Sequence, residues 1–133
     1  MKGIMKDRRP ATEKEKTLAK MALVAASFAY GVDDNEIMEA PRGNERTYTA
    51  RHTVYWLLRK SGMTYYRIGA MMGKDHAAAL NGVKQINIIL ELNLKSGFAE
   101  CIRDSTKYYR EFYAPHKARE EARMRKEMAN VIR

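Results

Sequence analysis

The side chains that could do chemistry in this sequence are spaced for binding rather than for making bonds. Cys101 stands alone, which rules out an internal disulfide, and His52, His76 and His116 are scattered with no metal-ligand spacing. There is no nucleophile with a paired base and no carboxylate pair, so neither an enzyme nor a cofactor is expected. Gly69-Ala70-Met71-Met72-Gly73-Lys74-Asp75 superficially looks like a phosphate loop. That motif has a longer spacer between its glycines and Ser or Thr after its lysine, whereas here the spacer is three residues and Asp75 follows Lys74. ATP binding is therefore not expected.

What stands out instead is cationic. From Arg42 to Lys84 there are eight basic residues (Arg42, Arg46, Arg51, Arg59, Lys60, Arg67, Lys74, Lys84) against Glu45 and Asp75, a net +6 out of +9 for the whole chain. A positive field concentrated in mid-chain points to a polyanion, because each neutralised phosphate releases counterions and adds sequence-independent affinity. The plainer alternative is that the charge only keeps the protein soluble.

The elements that must position these groups read as helices. The chain has 133 residues, 45% of them hydrophobic and only 9% aromatic, a composition for one domain, or one small domain with an appendage, with an aliphatic core between packed helices. After a charged leader (1–11), Thr12 and Glu15 form a capping-box pattern, and Leu18, Met21, Ala22, Ala25, Phe28 and Ala29 recur at helical spacing before Gly31. Asp33 or Asp34 caps a short second helix through Met38, closed by Pro41, and a basic loop runs from Pro41 to Tyr48. A third helix, about Thr49 to Ser61, turns Ala50, Val54, Leu57 and Leu58 inward. It sets Arg51, Tyr55 and Arg59 at i, i+4 and i+8 on an expected outer face.

Thr64 then caps a short helix from Tyr65 to Met72. Gly73-Lys74 makes a tight connection, and Asp75 caps a long helix to about Leu94. Helix, short Gly-containing turn, helix is the helix-turn-helix arrangement. Ala79, Val83, Ile86 and Leu90 form the buried stripe of the last helix, while His76, Ala77, Ala78, Asn81, Lys84 and Gln85 lie toward its other side. These exposed residues cluster at the N-terminal end, which in helix-turn-helix proteins meets base edges in the major groove.

From Gly97 on, Phe98, Cys101, Ile102, Ser105, Tyr109 and Phe112 mark a further helix, with an interruption expected at Pro115. Its aromatic stripe needs a partner surface, either the domain itself or another subunit. Residues 116–133 are mixed-charge with only Met124, Met128 and Val131 at helical spacing, read as an exposed helix or a frayed end. The expected organisation is a leader (1–11), an all-α helix-turn-helix domain (12–95) and a helical extension (96–133). Self-association through Phe98, Ile102, Tyr109 and Phe112 is expected of the extension. No run approaches the roughly 18 apolar residues of a membrane span, and Met1 to Pro10 is charged rather than apolar, so a soluble cytoplasmic protein is expected.

Gly73-Lys74-Asp75-His76-Ala77-Ala78-Ala79-Leu80-Asn81-Gly82-Val83 resembles the signature of the C-terminal DNA-binding domain (domain IV) of the bacterial replication initiator DnaA. The resemblance runs from about Leu18 to Leu92 and includes Tyr30-Gly31-Val32, the basic loop, the Arg51 helix and Ile68-Gly69. It implies an all-α, Trp-repressor-like helix-turn-helix fold that binds short asymmetric duplex sites. Carried over, Asp75 and His76 match an Asp-His pair that contacts base edges and orients the recognition helix. Arg51 matches an arginine at the start of the basic-loop helix, Arg59 a phosphate-contacting lysine, and Arg42 or Arg46 a minor-groove arginine. Ala77, Ala78 and Asn81 stand where the family has two threonines and a later histidine. Alanine can meet a thymine methyl but donates no hydrogen bond, and Asn81 can pair with adenine in bidentate fashion. Thr64, Tyr65, Lys74 and Lys84 complete the expected phosphate-facing set, since Tyr65 and Tyr66 begin a helix whose amides can bind phosphate.

Two functions follow as expectations. One is a free-standing, site-specific DNA-binding protein that regulates transcription or modulates replication initiation in a bacterium or phage. The other is a phage assembly or DNA-packaging recognition subunit with the same module and an oligomerising tail.

Overall fold

The computed structural model of the chain describes residues 9–39, 44–92 and 97–132. Six helices follow one another, with no strand among the described residues: α1 Glu13–Tyr30, α2 Asp34–Glu39, α3 Glu45–Lys60, α4 Tyr65–Met72, α5 His76–Glu91 and α6 Gly97–Ile132. The fold is an all-α helix-turn-helix bundle. The expected leader through residue 8, Pro41 and Arg42 lie outside the described residues.

The helix boundaries follow local chemistry. Thr12 and Glu15 close the capping box, with the Thr12 amide donating to Glu15 Oε1 at 2.9 Å and the Glu15 amide to Thr12 Oγ1 at 3.1 Å. Gly31 and Gly73 end α1 and α4 at φ 66°, the left-handed region that glycine enters without a Cβ clash. α3 starts at Glu45 rather than near Thr49, because Asn44 caps it by accepting from the Thr47 amide at 3.2 Å. The second half of the expected basic loop is therefore helical. α5 runs to Glu91 with Leu92 at its C-cap, and the expected end near Leu94 lies outside the described residues.

Two glycines set how closely the motif packs. A Cβ on Gly69 would lie 2.6 Å from the Lys74 carbonyl oxygen, so the α4–α5 turn folds down onto α4 itself. A Cβ on Gly82 would lie 2.6 Å from Tyr55 Cδ2 and 2.9 Å from His52 Cδ2, so α5 settles directly against the rings of α3.

The core draws on every helix. Leu18, Ala22, Ala25, Ala26 and Tyr30 of α1 meet Val54, Leu57 and Leu58 of α3, Ile68 and Met72 of α4, Ala79, Val83 and Ile86 of α5, and Cys101, Ile102 and Tyr109 of α6. The Tyr30 hydroxyl shares a 2.7 Å hydrogen bond with Thr53 Oγ1 between α1 and α3.

α6 corrects two expectations. Its aromatic stripe is largely covered by the chain itself: Ile102 is 1% and Tyr109 7% exposed, Phe98 and Phe112 are half-buried against the same core, and Tyr109 hydrogen-bonds Ser61 at the end of α3. The face that periodicity revealed is covered by the domain's own α1 and α3. Self-association through those residues would require pulling α6 off the core. The helix also continues through Pro115 to Ile132 instead of breaking there. Proline removes one N–H and leaves the Glu111 carbonyl without its helical partner. Phe112 and Tyr113, just ahead of Pro115, pack against the core, which anchors the turn that carries the defect.

Candidate nucleic-acid interface

α4, the Gly73-Lys74-Asp75 turn and α5 make the helix-turn-helix. Thr64 caps α4 by accepting from the Arg67 amide at 3.2 Å, and Asp75 caps α5 by accepting from the Ala78 amide at 2.8 Å. Both caps hold the N-termini of the two helices at defined angles. Ala79, Gly82, Val83 and Ile86 are buried, so Ala77, Asn81, Lys84, Gln85 and Ile88 fall on one exposed stripe running along α5 from its N-terminal end, with Ala78 half-buried beside it. Leu90, expected in the buried stripe, is only half-buried.

His76 is the first residue of α5, half-buried, and its ring stacks on Tyr66 with centroids 4.4 Å apart and planes at 23°. Tyr66 was not singled out for this role by spacing, since a tyrosine at i−10 across a turn belongs to no helical period. Lys74 and Asp75 are exposed in the turn. The expected base-facing residues Asp75, His76, Ala77, Ala78 and Asn81 thus come together on one end of one helix.

The cationic set divides. Arg59 and Lys60 are exposed at the end of α3. The Arg59 guanidinium lies 4.6 Å from the centre of the half-buried Tyr65 ring and donates to the Met63 carbonyl at 3.2 Å, while Lys60 Nζ sits 4.7 Å from the Trp56 ring. Together with Lys74 and Lys84 they give four exposed cations on or beside the motif.

Arg51 is a correction. It is 7% exposed rather than on an outer face, and its Nε donates to the Ile37 carbonyl at 2.7 Å, fastening α3 to α2. Tyr55, expected beside it outside, is 2% exposed, and burial pushes its phenol up to about 12. Arg46 is exposed but committed: its Nε donates to the Tyr30 carbonyl at 2.6 Å, and its guanidinium reaches Cys101 Sγ at 3.9 Å. It closes the C-terminal end of α1, which leaves it poorly placed to enter a groove. Arg42, the other minor-groove candidate, lies outside the described residues. Arg67, counted with the surface charge, is 5% exposed and forms a bidentate pair with Glu15, 2.7 Å at each contact.

No group of three His, Cys, Asp or Glu side chains suited to a metal ion is found among the described residues, and burial pushes the Cys101 thiol up, away from nucleophilic behaviour. No helix among them is long and apolar enough to cross a membrane. The chain matches no protein-family model and no curated protein.

Proposed function

We propose that this chain is a non-enzymatic, site-specific double-stranded DNA-binding protein that acts in transcription control or as a modulator of replication initiation. The observation that carries this reading is the α5 face: a polar and small-residue stripe of Ala77, Asn81, Lys84 and Gln85, headed by the capping residue Asp75 and by His76 held against Tyr66. Small residues near the start of the helix allow close approach to base pairs, Asn81 offers a bidentate amide, and exposed lysines and Arg59 supply phosphate partners. The resemblance of residues 73–83 to the DnaA signature points the same way. In the cell such a protein would be cytoplasmic and associated with the nucleoid.

The assembly-subunit reading needs a free aromatic stripe on α6, of which Ile102 and Tyr109 are buried in the chain's own core and Phe98 and Phe112 are half-buried against it. Selection of bound duplexes from a random pool tests the proposal. Enrichment of one short asymmetric motif supports it; a pool that stays random, with no duplex retained at low salt, sinks it.

A further inference from the structure

α1 and α6 run antiparallel, and their outward edges leave a groove of about 480 Å³ lined by Thr17, Lys20, Met21, Val24, Glu111, Phe112, Pro115, His116 and Arg119. On α1 the apolar members Met21 and Val24 share a helical face with Phe28, which is 64% exposed. On α6 Phe112 and Pro115 share a face with Tyr108, and Phe28 meets Tyr108 edge to face at 6.0 Å. The apolar strip therefore continues past the groove, from Thr17 to Phe28, about 16 Å of helix length. That is the length of roughly three turns of a third helix laid along the seam.

The polar groups of the seam are unevenly signed. Lys20, His116 and Arg119 gather toward one end, against the single carboxylate of Glu111. Lys20 has only a loose 3.8 Å contact with Asp34, and Arg119 makes no ion pair among the described residues. His116 Nε2 is shut off from solvent without a hydrogen-bond partner, so that edge of the imidazole is covered by the chain itself and the charge open to a partner is that of the exposed Lys20 and Arg119. The Glu111 carbonyl has lost its helical donor to Pro115. An apolar strip that ends in two exposed cations fits an apolar partner carrying carboxylates at one end.

From this we infer that the α1–α6 seam is a docking site for an acidic amphipathic helix of a partner protein. Its apolar side chains at i, i+4, i+7 and i+11 would lie over Met21, Val24, Phe112 and Phe28, with carboxylates at the end facing Lys20 and Arg119. No residue of α4 or α5 lines the groove, so the partner and a duplex on α5 can be held together. The inference concerns a different surface from the proposed DNA face and stands or falls without DNA.

The test is an amide NMR titration of the full chain with a synthetic helix of about four turns, leucine at those spacings and glutamate elsewhere. Shifts confined to the neighbourhood of Met21, Val24, Phe112 and Arg119 are expected. Binding should weaken about tenfold for the same peptide with lysine in place of glutamate, and by a similar factor for Arg119→Glu. Val24→Glu, half-exposed and thus tolerable to the fold, should abolish the shifts. The inference is overturned by silence up to about 1 mM peptide, by equal binding of the lysine peptide, or by shifts that map to α5 instead.

Discussion

Tyr66 and His76 stack ring on ring across the helix-turn-helix, joining the first turn of α4 to the first residue of α5. The contact fixes the imidazole before any ligand arrives, so ordering it is not charged to binding; immobilising such a side chain costs about 0.5–1.5 kcal/mol. Tyr66→Ala should therefore weaken binding to the selected duplex roughly two- to tenfold and leave random duplex nearly unchanged, while Tyr66→Phe, which keeps the stack, behaves as wild type. Fluorescence anisotropy on both duplexes measures this. Equal losses on the two DNAs would mean that the stack supports the fold rather than the reading of bases.

For the proposed DNA binding, the split among the arginines predicts the salt response. Arg59, Lys60, Lys74 and Lys84 remain exposed, so with about 0.9 per phosphate the slope of log affinity against log salt should be roughly −3 to −4. Lys74→Ala should lower that slope by about one. Arg51→Ala should instead act on stability, because its Nε bond to the Ile37 carbonyl is buried and leaves that carbonyl without its donor, at about 1–3 kcal/mol. Urea denaturation separates the two effects. A salt slope that changes with Arg51 in a fully folded variant would contradict its placement.

These arginines show where sequence reading stops. Thr12 with Glu15, Thr64, Asp75, Gly31 and Gly73 are local codes, each answering to backbone within a few residues, and all five act where their spacing placed them. The buried stripe Ala79, Val83, Ile86 is legible for the same reason: a helix repeats. Arg51, Arg46 and Arg67 instead find their partners 14, 16 and 52 residues away, on α2, α1 and the first turn of α1. Nothing in their own neighbourhood says that the charge points inward. The aromatic stripe of α6 has the same character, since periodicity reveals an apolar face but not the surface that covers it.

The Glu15–Arg67 pair makes stability depend on pH in the acid range. Bidentate hydrogen bonding from Arg67 lowers the Glu15 carboxyl from 4.5 to about 2 in the folded chain, overcoming the opposing effect of burial. Because the folded value lies below the unfolded one, the contribution is fully present above about pH 4.5 and is lost as pH falls from there toward 2. Arg67 also donates to the carbonyls of Arg9 at 2.9 Å and Pro10 at 3.3 Å, so the pair pins the entry to α1 onto α4. Glu15→Gln should flatten the loss of stability between pH 4.5 and 2, and Arg67→Ala should destabilise at neutral pH by about 3 kcal/mol, as for breaking other largely buried pairs. Urea midpoints at several pH values check both. An unchanged acid limb in Glu15→Gln would show that other carboxylates govern it.

The α6 helix divides into a half that builds the domain and a half that does not. Ile102, 1% exposed, sits in the core with Cys101 and Tyr109, and replacing it by alanine removes buried methyl groups and leaves a cavity, at about 2–5 kcal/mol. A chain ending before Phe98 loses all of these contacts and uncovers α1 and α3 along their length. It should fail to fold cooperatively, although the remaining helix-turn-helix segment is long enough to have suggested an independent domain. Met124, Met128 and Val131, by contrast, are 59%, 59% and 78% exposed, and the ion pairs of Arg123 with Glu120 and Glu127 are confined to the helix surface. Surface pairs of this kind are screened by solvent and add little to stability. A stop codon after Arg123 should therefore leave the urea midpoint close to that of the full chain, while a stop before Phe98 removes the transition altogether. A cooperative transition in the shorter fragment would show that α1 to α5 close a core of their own and that α6 is laid over it afterwards.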